Sequence, residues 1–389
     1  MAVQQGYGKM AGTDALVFAY DTGDAVNSYK GEPVRNDFNF DLFTPSGYGG
    51  DGTLQPDALD PFGTTNNPVY RKTGKLRFGP TNGTDVGTLY YGKTYTFSIY
   101  LRFVPGQPTF TGGEFDLYDR SDSRNFSGGL GDNMTYEWKR FSVTAFHNNN
   151  SNYHFVDIGH YQGEGVFEWT CPQIEENTHM TPFTPHESPR SATEGLLDLT
   201  GTTSIDLSNM SFDSDAYLDL DGSSDYVDLG ADLQVSLINQ GWTAEYIVKT
   251  DSASTLQHFN GCDEDVHNAG WIALYNSKLA VWNRDPGGWY YGDTVFTSNT
   301  WYHVTFVQVN GTTMQFYVNG VAEGGSHTTY SWNASKSAFF ARYIGRYSYS
   351  GYSRYWNGTI PVTKFYNRAL SAAEVQANFN NYKTRFNIA

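Results

Sequence analysis

The sequence is poor in positive charge, in cysteine and in long apolar runs, and each shortage excludes a class of protein. Its 389 residues include 25 Lys and Arg against 41 Asp and Glu, a formal net charge of -16, whereas surfaces that bind nucleic acids or anionic membranes are basic. Two cysteines, Cys171 and Cys262, are too few for a disulfide framework. No run of about 18 apolar residues is present, so we expect no membrane-spanning helix. Neither a nucleic-acid partner nor membrane insertion is therefore expected.

Charged residues as a whole are scarce, at 17%, while aromatic residues make up 16% and glycine contributes 41 residues. Aromatic side chains suit a pleated sheet and glycine supplies tight turns, so this composition predicts an all-β protein. Segments that alternate polar and apolar residues agree with this, for example residues 94–103, 301–309 and 314–318.

Local signals predict two turns and one helix. The loop at residues 310–313 closes a predicted hairpin, and Asn319-Gly320 forms a second turn. The helix is predicted at residues 371–379, where Ser371 as N-cap and Glu374 three residues later have the spacing of a capping box.

The length allows two or three domains of roughly 100–200 residues each. Residues 34–77 are rich in Asp, Asn, Gly and Pro, which indicates irregular chain with one or two strands. Residues 180–189 contain three prolines. Because proline has no N–H to donate, this segment cannot form a central strand of a sheet. We interpret this second stretch as a linker between two β modules.

Motifs in the C-terminal half follow one another in an order typical of a single β-sandwich. They are the segments at residues 212–230, 242–248, 301–304 with 316–320, 344–345, and 356–360 with 365–374. Over roughly residues 195–385 they resemble the concanavalin A-like lectin/glucanase superfamily in its laminin-G-like form. The resemblance implies a two-sheet jelly roll for residues 188–389.

Residues 15–31, near the N-terminus, resemble the first strand of such a domain. The turn that the family has next matches only Asp198-Leu-Thr-Gly201, more than 160 residues later. Our hypothesis is that a second module is inserted after the first strand, so that residues 13–33 pair with the C-terminal sheet. Insertion is tolerated where the ends of a surface loop lie close together. The predicted domains are residues 1–33 together with 188–389, and an insert of residues 34–187.

The insert carries motifs of its own at residues 95–100, 137–143 and 167–175, followed by 181–185. These resemble carbohydrate-binding jelly-roll modules of the galactose-binding-like type, as they recur in virion proteins of tailed bacteriophages. The predicted fold is therefore all-β, with two β-sandwich (jelly-roll) modules, one inserted into the other.

A hydrolytic site has one weak candidate. Glycosidases need two carboxyl groups roughly 5–10 Å apart, and concanavalin-like glucanases carry theirs as E-x-D-x-x-E. The chain has Glu114, Asp116 and Asp119 at this spacing. The last acid is Asp instead of Glu, and the segment lies in the predicted insert. A solvated edge strand is the favoured interpretation, and we predict that the protein is not an enzyme.

Acidic loops offer oxygen ligands of the kind that Ca²⁺ prefers. The candidate ligands are Asp263 and Asp265 in one loop, and Asp221 and Asp225 around a Gly turn. The resemblance adds that laminin-G-like domains hold calcium at their rim. The alternative is that these Asp side chains only form turns. No cofactor is required on either interpretation, and Ca²⁺ is the one candidate.

Two loops, residues 282–293 and 346–356, combine aromatic residues with Gly, Ser and Pro, so some of their rings should be exposed. Exposed rings pack against the apolar faces of sugars, although a Tyr-rich subunit interface fits equally well. Trp282 and Trp356 occupy family strand positions and are expected in the core. The candidate ligand-binding residues are Trp289, Tyr290, Tyr291, Tyr349, Tyr352 and Tyr355.

The function predicted from these features is a non-catalytic virion surface protein of a tailed phage: a capsid decoration, fibre or tail-surface adhesin. The first twenty residues contain one Lys and no apolar core of a signal peptide. Assembly in the host cytoplasm and release by lysis would explain extracellular-type modules without such a signal. The expected partners are a host cell-surface glycan, other virion proteins and further copies of the chain as a homo-oligomer. The alternatives are a cellular carbohydrate-binding or adhesion protein, and a polysaccharide hydrolase.

Overall fold

The chain divides into two compact units, of which one is discontinuous in sequence. Residues Met1–Pro33 and Ser191–Ala389 form the discontinuous unit, and Val34–Arg190 form the inserted unit. The computed structural model describes residues 14–38, 52–78, 92–119, 122–125, 129–147, 154–160, 165–185, 188–212, 218–235, 241–262, 271–283, 288–310, 313–324, 339–349 and 352–388. Strands dominate these residues, so the all-β prediction is confirmed. No helix in the described ranges is long and apolar enough to cross a membrane.

The discontinuous unit contributes the first strand, β1 (Leu16–Asp21). The described elements of the inserted unit follow: β2 (Thr53–Leu54), β3 (Tyr70–Thr73), β4 (Leu76–Phe78), β5 (Thr94–Phe103), β6 (Glu114–Asp119), β7 (Asp122–Asn125), α1 (Leu130–Asn133), β8 (Lys139–Phe146), β9 (His154–Gly159) and β10 (Val166–Glu175). They form a five-stranded sheet in the order β2-β3-β10-β5-β8 and a four-stranded sheet in the order β4-β9-β6-β7. Alternate side chains of both sheets fill one core, among them Phe97, Phe115, Ile158 and Trp169.

Strand β10 changes the face to which its odd-numbered residues point. Phe167 and Trp169 are in the core, but so is Ile174, because the register shifts between Thr170 and Gln173. The shift is a β-bulge at Cys171 and Pro172. Cys171 has a φ of +52°, and Pro172 has no N–H to donate to a neighbouring strand. Both cysteines of the chain are buried and form no disulfide.

The bulge brings Gln173 and Glu175 to the face opposite the core, where they bind the proline-bearing stretch. The hydroxyl of Thr181 donates to Glu175 Oε2 at 2.7 Å, and the Thr184 N–H donates to Gln173 Oε1 at 2.8 Å. Both threonines are buried. The linker interpretation of residues 180–189 is therefore wrong, because side-chain hydrogen bonds hold this stretch against the inserted unit.

The remaining described elements belong to the discontinuous unit. They are β11 (Ser211–Phe212), β12 (Leu218–Asp221), β13 (Val227–Val235), β14 (Trp242–Thr250), β15 (Gln257–His258), β16 (Asn260–Gly261), β17 (Trp271–Tyr275), β18 (Lys278–Asn283), β19 (Gly288–Tyr291), β20 (Trp301–Asn310), β21 (Thr313–Val318), β22 (Val321–Ala322), β23 (Phe339–Ile344), β24 (Arg346–Tyr349), β25 (Tyr352–Tyr355), β26 (Asn357–Tyr366) and α2 (Ala372–Lys383).

An eight-stranded sheet is the larger layer of this unit, in the order β11-β12-β26-β14-β20-β21-β22, with β1 also pairing with β26. The other sheets are β13-β23-β16, β15-β17-β18-β19 and the hairpin β24-β25. One core joins side chains of the large sheet, such as Trp242 and Phe306, to side chains of the smaller sheets, such as Phe259 and Ile272. This arrangement is a two-layer β-sandwich.

Strand β1 pairs antiparallel with β26, from Leu16 opposite Tyr366 to Asp21 opposite Val362. The ring of Phe18 stacks on Phe365 with centroids 5.5 Å apart. Asp198, in the turn matched to the family, accepts a hydrogen bond from the Ala19 N–H at 3.0 Å. Residues from both sides of the insert thus meet in one sheet.

The predicted turn at Asn319-Gly320 and the predicted start of the helix at Ser371 are confirmed. Asn319 and Gly320 have φ values of +52° and +77°, which is the conformation of a type I′ hairpin turn between β21 and β22. Helix α2 begins after Ser371, with both hydrogen bonds of the capping box formed to and from Glu374. The helix extends to Lys383, beyond the predicted residue 379, because its later residues Phe379 and Tyr382 pack on the sheet.

A buried polar cluster lies where α2 covers the large sheet on the face opposite the main core. Lys364 Nζ lies 3.1 Å from Glu245 Oε1, and each side chain is 1% exposed. Asn378 of α2 donates to Glu245 Oε2 at 2.6 Å, and His303 Nε2 lies 3.5 Å from Glu245 Oε1. Burial opposes ionisation of both groups, but Lys364 lowers the pKa of Glu245 to about 2, and Glu245 raises the pKa of Lys364 well above its usual value.

Removing one partner of this pair should destabilise the protein strongly, because an unpaired charge is left buried. We expect Lys364→Met to lower the free energy of unfolding by about 3–5 kcal/mol. Lys383→Met, the same change at an exposed position of α2, is the matched control and should change it by less than about 0.5 kcal/mol. Urea unfolding of the full chain measures both. Equal effects of the two variants would contradict a charged, buried pair.

Candidate ligand-binding surface

The first aromatic loop forms strands with two distinct faces. Ile272, Leu274, Leu279 and Val281 of β17 and β18 point into the core. Because successive side chains of a strand point to opposite faces, the outer face of this sheet carries four half-buried rings: Tyr275, Trp282, Trp289 and Tyr291.

These four rings touch one another. The ring centroids of Trp289 lie 5.4 Å from Trp282 and 5.2 Å from Tyr275, and Tyr275 lies 6.1 Å from Tyr291. Such edge and tilted contacts are the favoured geometries of aromatic pairs. They hold the rings in place on regular strands, so the outer face is a pre-formed aromatic surface.

Alternation also corrects two predictions. Tyr290, a candidate binding residue, lies between Trp289 and Tyr291 and packs against the main core. Trp282, expected in the core, is half-buried on the outer face, because Leu279 and Val281 take the core positions of β18. Trp356 is fully buried in the core, as expected.

The second aromatic loop forms the hairpin β24–β25. Tyr347 pairs across it with Arg354, and Tyr349 pairs with Tyr352, so the side chains of Tyr347, Arg354 and Tyr352 share one face. The Tyr352 side chain is 66% exposed. The side chain of Tyr349 lies outside the described part of the structure. Among the described rings of this loop, Tyr352 projects into solvent.

His258 of β15 connects the two aromatic loops. Its ring stacks on Tyr347, with centroids 4.8 Å apart and planes at 24°, and lies 6.5 Å from the ring of Trp289. His258 is 2% exposed, and its Nδ1 is buried without a hydrogen-bond partner in the described ranges. Burial, with the positive charge of Arg354, lowers the pKa of His258 to about 3. The imidazole is therefore neutral at pH 7 and acts as a packing ring.

The opposite face of the hairpin is used internally. The guanidinium of Arg346 lies 4.6 Å from the Tyr226 ring, 4.5 Å from Tyr343 and 5.9 Å from Tyr355. Tyr355, a predicted binding residue, is half-buried in this cation–π cluster. The structure therefore places Tyr355 on the face away from Tyr352.

We call the outer side chains Trp282, Trp289, Tyr291, Tyr352 and Arg354 the ring surface. His258 and Tyr347 lie beneath it and were not singled out as binding residues from the sequence. Arg354 was also not singled out, although alternation within a hairpin places it on the face of Tyr352. Nothing local to His258 could have identified its role, because its strand has two residues and its stacking partner is far along the chain.

The predicted calcium ligands are only partly described. Asp263 and Asp265 lie outside the described residues. The carboxylate of Asp221 accepts hydrogen bonds from the Ser223 and Ser224 backbones and hydroxyls. Burial opposes this, but these bonds hold the pKa of Asp221 below its usual range. In the ranges that the structure describes, no three His, Cys, Asp or Glu side chains are grouped to hold a metal. Calcium binding stays a prediction.

The acidic segment at Glu114 forms β6 of the inserted unit. Lys75 Nζ lies 2.6 Å from Glu114 Oε2 and 2.9 Å from Asp157 Oδ2. Burial, with the charges of Glu114 and Asp157, raises the pKa of Asp116 to about 6. The side chain of Asp119 is not described. Glu114 and Asp157 are thus both ion-paired with one buried lysine.

Comparison with known proteins agrees with the fold of the discontinuous unit. A family model described as the concanavalin A-like lectin/glucanases superfamily matches residues 221–376. This range contains the whole ring surface, and the match supports the resemblance to this superfamily over these residues. A search of curated proteins finds no match.

Several solved structures are similar at low identity. Domain 4 of AbnA, a GH43 extracellular arabinanase from Geobacillus stearothermophilus in complex with arabinotriose, is 19% identical over 46% of this chain and 81% of its own, with a TM-score of 0.32. The CBM40 of the Ruminococcus gnavus IT-sialidase, bound to α2,3-sialyllactose, is 12% identical over 41% and 93%, with a TM-score of 0.31. The botulinum neurotoxin serotype D binding domain is 12% identical over 50% of each chain, with a TM-score of 0.35. This chain therefore spans half of that structure.

The buried neutral His258 predicts a pH dependence of stability. Its pKa in the folded state, about 3, is below its usual value of 6.5, so its contribution to stability is complete above pH 6.5 and is lost as the pH falls toward 3. We expect His258→Phe, which keeps a ring against Tyr347, to lose less stability than the wild type between pH 7 and pH 4.

Urea midpoints of the full chain at the two pH values measure this difference. His179→Phe, at a half-buried histidine of the inserted unit, is the control and should behave as the wild type. If the wild type and His258→Phe lose the same stability between pH 7 and pH 4, protonation of His258 does not destabilise the folded protein, which would contradict this prediction.

Proposed function

We propose that the protein is a non-catalytic glycan-binding protein and that the ring surface is its binding site. The observation that carries this proposal is the set of rings held on the outer faces of two neighbouring strand systems, joined through His258. Sugars present flat apolar C–H faces, and rings fixed by their neighbours bind them at little entropic cost. Regular strands hold such side chains more rigidly than loops do.

The exposure of the rings supports the same function. Tyr352 is 66% exposed, and the rings of Trp289 and Tyr291 are half-buried, so each offers part of its face or edge to solvent. The family description, lectin/glucanases, includes both binding and hydrolysis. We place no catalytic step at the ring surface, because the acid with a raised pKa, Asp116, lies in the inserted unit.

We further propose that the protein is displayed on the virion of a tailed phage, as a decoration, fibre or tail-surface protein that contacts a host glycan and neighbouring virion proteins. The support is the low cysteine content: the chain has two cysteines, which are buried and form no disulfide, and this suits assembly in a reducing cytoplasm before release by lysis. A homo-oligomer is expected, as is common among such assemblies.

Loss of one exposed ring tests the glycan-binding site. On a glycan array, the wild type should bind at least one oligosaccharide, and Tyr352→Ala should weaken that binding by about tenfold, equivalent to about 1.4 kcal/mol. Trp289→Ala should weaken it at least as much. Tyr136→Ala removes a ring of similar exposure, 53%, from the inserted unit and should leave binding unchanged. A wild type that binds no glycan, or a Tyr352→Ala variant that binds normally, would contradict the proposal.

Mass spectrometry of purified particles tests the virion assignment. The protein should be found in particles of a phage that encodes it, at a stoichiometry set by the symmetry of the assembly. Its recovery only from the host lysate, and not from washed particles, would contradict this assignment while leaving the glycan-binding site untouched.

A further inference from the structure

Arg354 is an exposed cation within the ring surface. It lies on β25 opposite Tyr347 and shares a face with Tyr352. Among the described residues, its hydrogen bond runs from Nη1 to the carbonyl oxygen of Ser353, the preceding residue, at 3.4 Å. Across the described ranges, no Asp or Glu carboxylate lies within 4.0 Å of this guanidinium.

The lack of an acidic partner distinguishes Arg354 from most described arginines. In a chain of net charge -16, carboxylates are abundant and arginines are readily paired. The described arginines that form ion pairs are Arg35, Arg71, Arg77, Arg102, Arg342, Arg368 and Arg385. Arg346 of the same hairpin is occupied by three tyrosine rings. Arg354 is thus a cation directed to the ring surface and not neutralised by it.

His258 lies close enough to Arg354 to be affected by its charge. The Arg354 charge acts on His258 and helps to keep it neutral. A neighbouring carboxylate would offset that charge. The Nδ1 atom of His258 is buried and has no hydrogen-bond partner in the described structure, so no described carboxylate binds this nitrogen. An anion that reaches the surface would meet a guanidinium that pairs with no carboxylate of the described residues.

We propose that the ring surface selects acidic glycans, with Arg354 binding the carboxylate of a sugar unit while Tyr352 and Trp289 pack against the sugar rings. This inference rests on the glycan-binding function proposed above. A guanidinium donates two parallel hydrogen bonds to a carboxylate, a geometry that an ammonium group does not reproduce. The class of ligand is therefore a polysaccharide or oligosaccharide that contains uronic acids or other carboxylated sugars.

The test compares matched acidic and neutral sugars. Oligogalacturonate and its carboxyl-reduced form are one pair, and sialyllactose and lactose are a second pair. Calorimetric titration of the full-length protein should show at least about tenfold tighter binding to the acidic member of one pair. Arg354→Ala should abolish this preference, and Arg354→Lys should restore only a small part of it. Arg35→Ala, at an exposed arginine of the inserted unit, is the matched control and should keep the preference.

The outcomes separate this inference from the function on which it rests. If both members of every pair bind equally and Tyr352→Ala weakens both, the glycan site stands and acidic selectivity is overturned. If no sugar binds, the proposed function itself fails. If Arg354→Ala changes the oligomeric state in analytical ultracentrifugation and leaves sugar selectivity unchanged, Arg354 serves a subunit contact and the inference is overturned. Selectivity lost in Arg354→Ala, with a normal unfolding midpoint, supports it.

Discussion

The buried pair of Glu245 and Lys364 fixes the register of the central strands in the discontinuous unit. Burying two charges is costly unless they pair with each other and gain further hydrogen bonds, and here Asn378 of α2 also donates to Glu245. A shift of β26 by one residue would turn Lys364 toward the apolar core. The pair therefore specifies both which residues of β14 and β26 are neighbours and where the helix docks.

The register of β26 extends to both ends of the strand. Near its C-terminal end it receives β1, so the first strand of the chain joins a sheet formed mainly by residues after the insert. At its start, the Asn357 N–H donates to Gln257 Oε1 at 2.7 Å. Gln257 is fully buried and precedes His258. The hydrogen bond thus positions His258, whose ring contacts both Tyr347 and Trp289. The large sheet and the proposed binding site therefore both depend on the register of β26.

Sequence reasoning succeeds where the structure is determined locally. The strand predicted at residues 94–103 is β5 with the same bounds, because its alternation is regular. The capping box is also local, because Ser371 and Glu374 are only three residues apart. It fails where a distant contact decides. The bulge at Cys171 reverses the alternation of β10, and residues 180–185 pack through side chains that look like those of a linker. Tyr290 resembles its neighbours in composition, but pairing of β18 with β19 turns it inward.

An acidic protein can hold an anion site because electrostatic interactions are local in salt solution. At physiological ionic strength the Debye length is about 8 Å, so most of the -16 charge is screened from a ligand at Arg354, while a direct hydrogen-bonded contact is not. The guanidinium of Arg354, which pairs with no carboxylate in the described ranges, then supplies the attraction at contact. His258, buried and stacked on Tyr347 beneath the surface, contributes packing to this site, because burial keeps its imidazole neutral at pH 7.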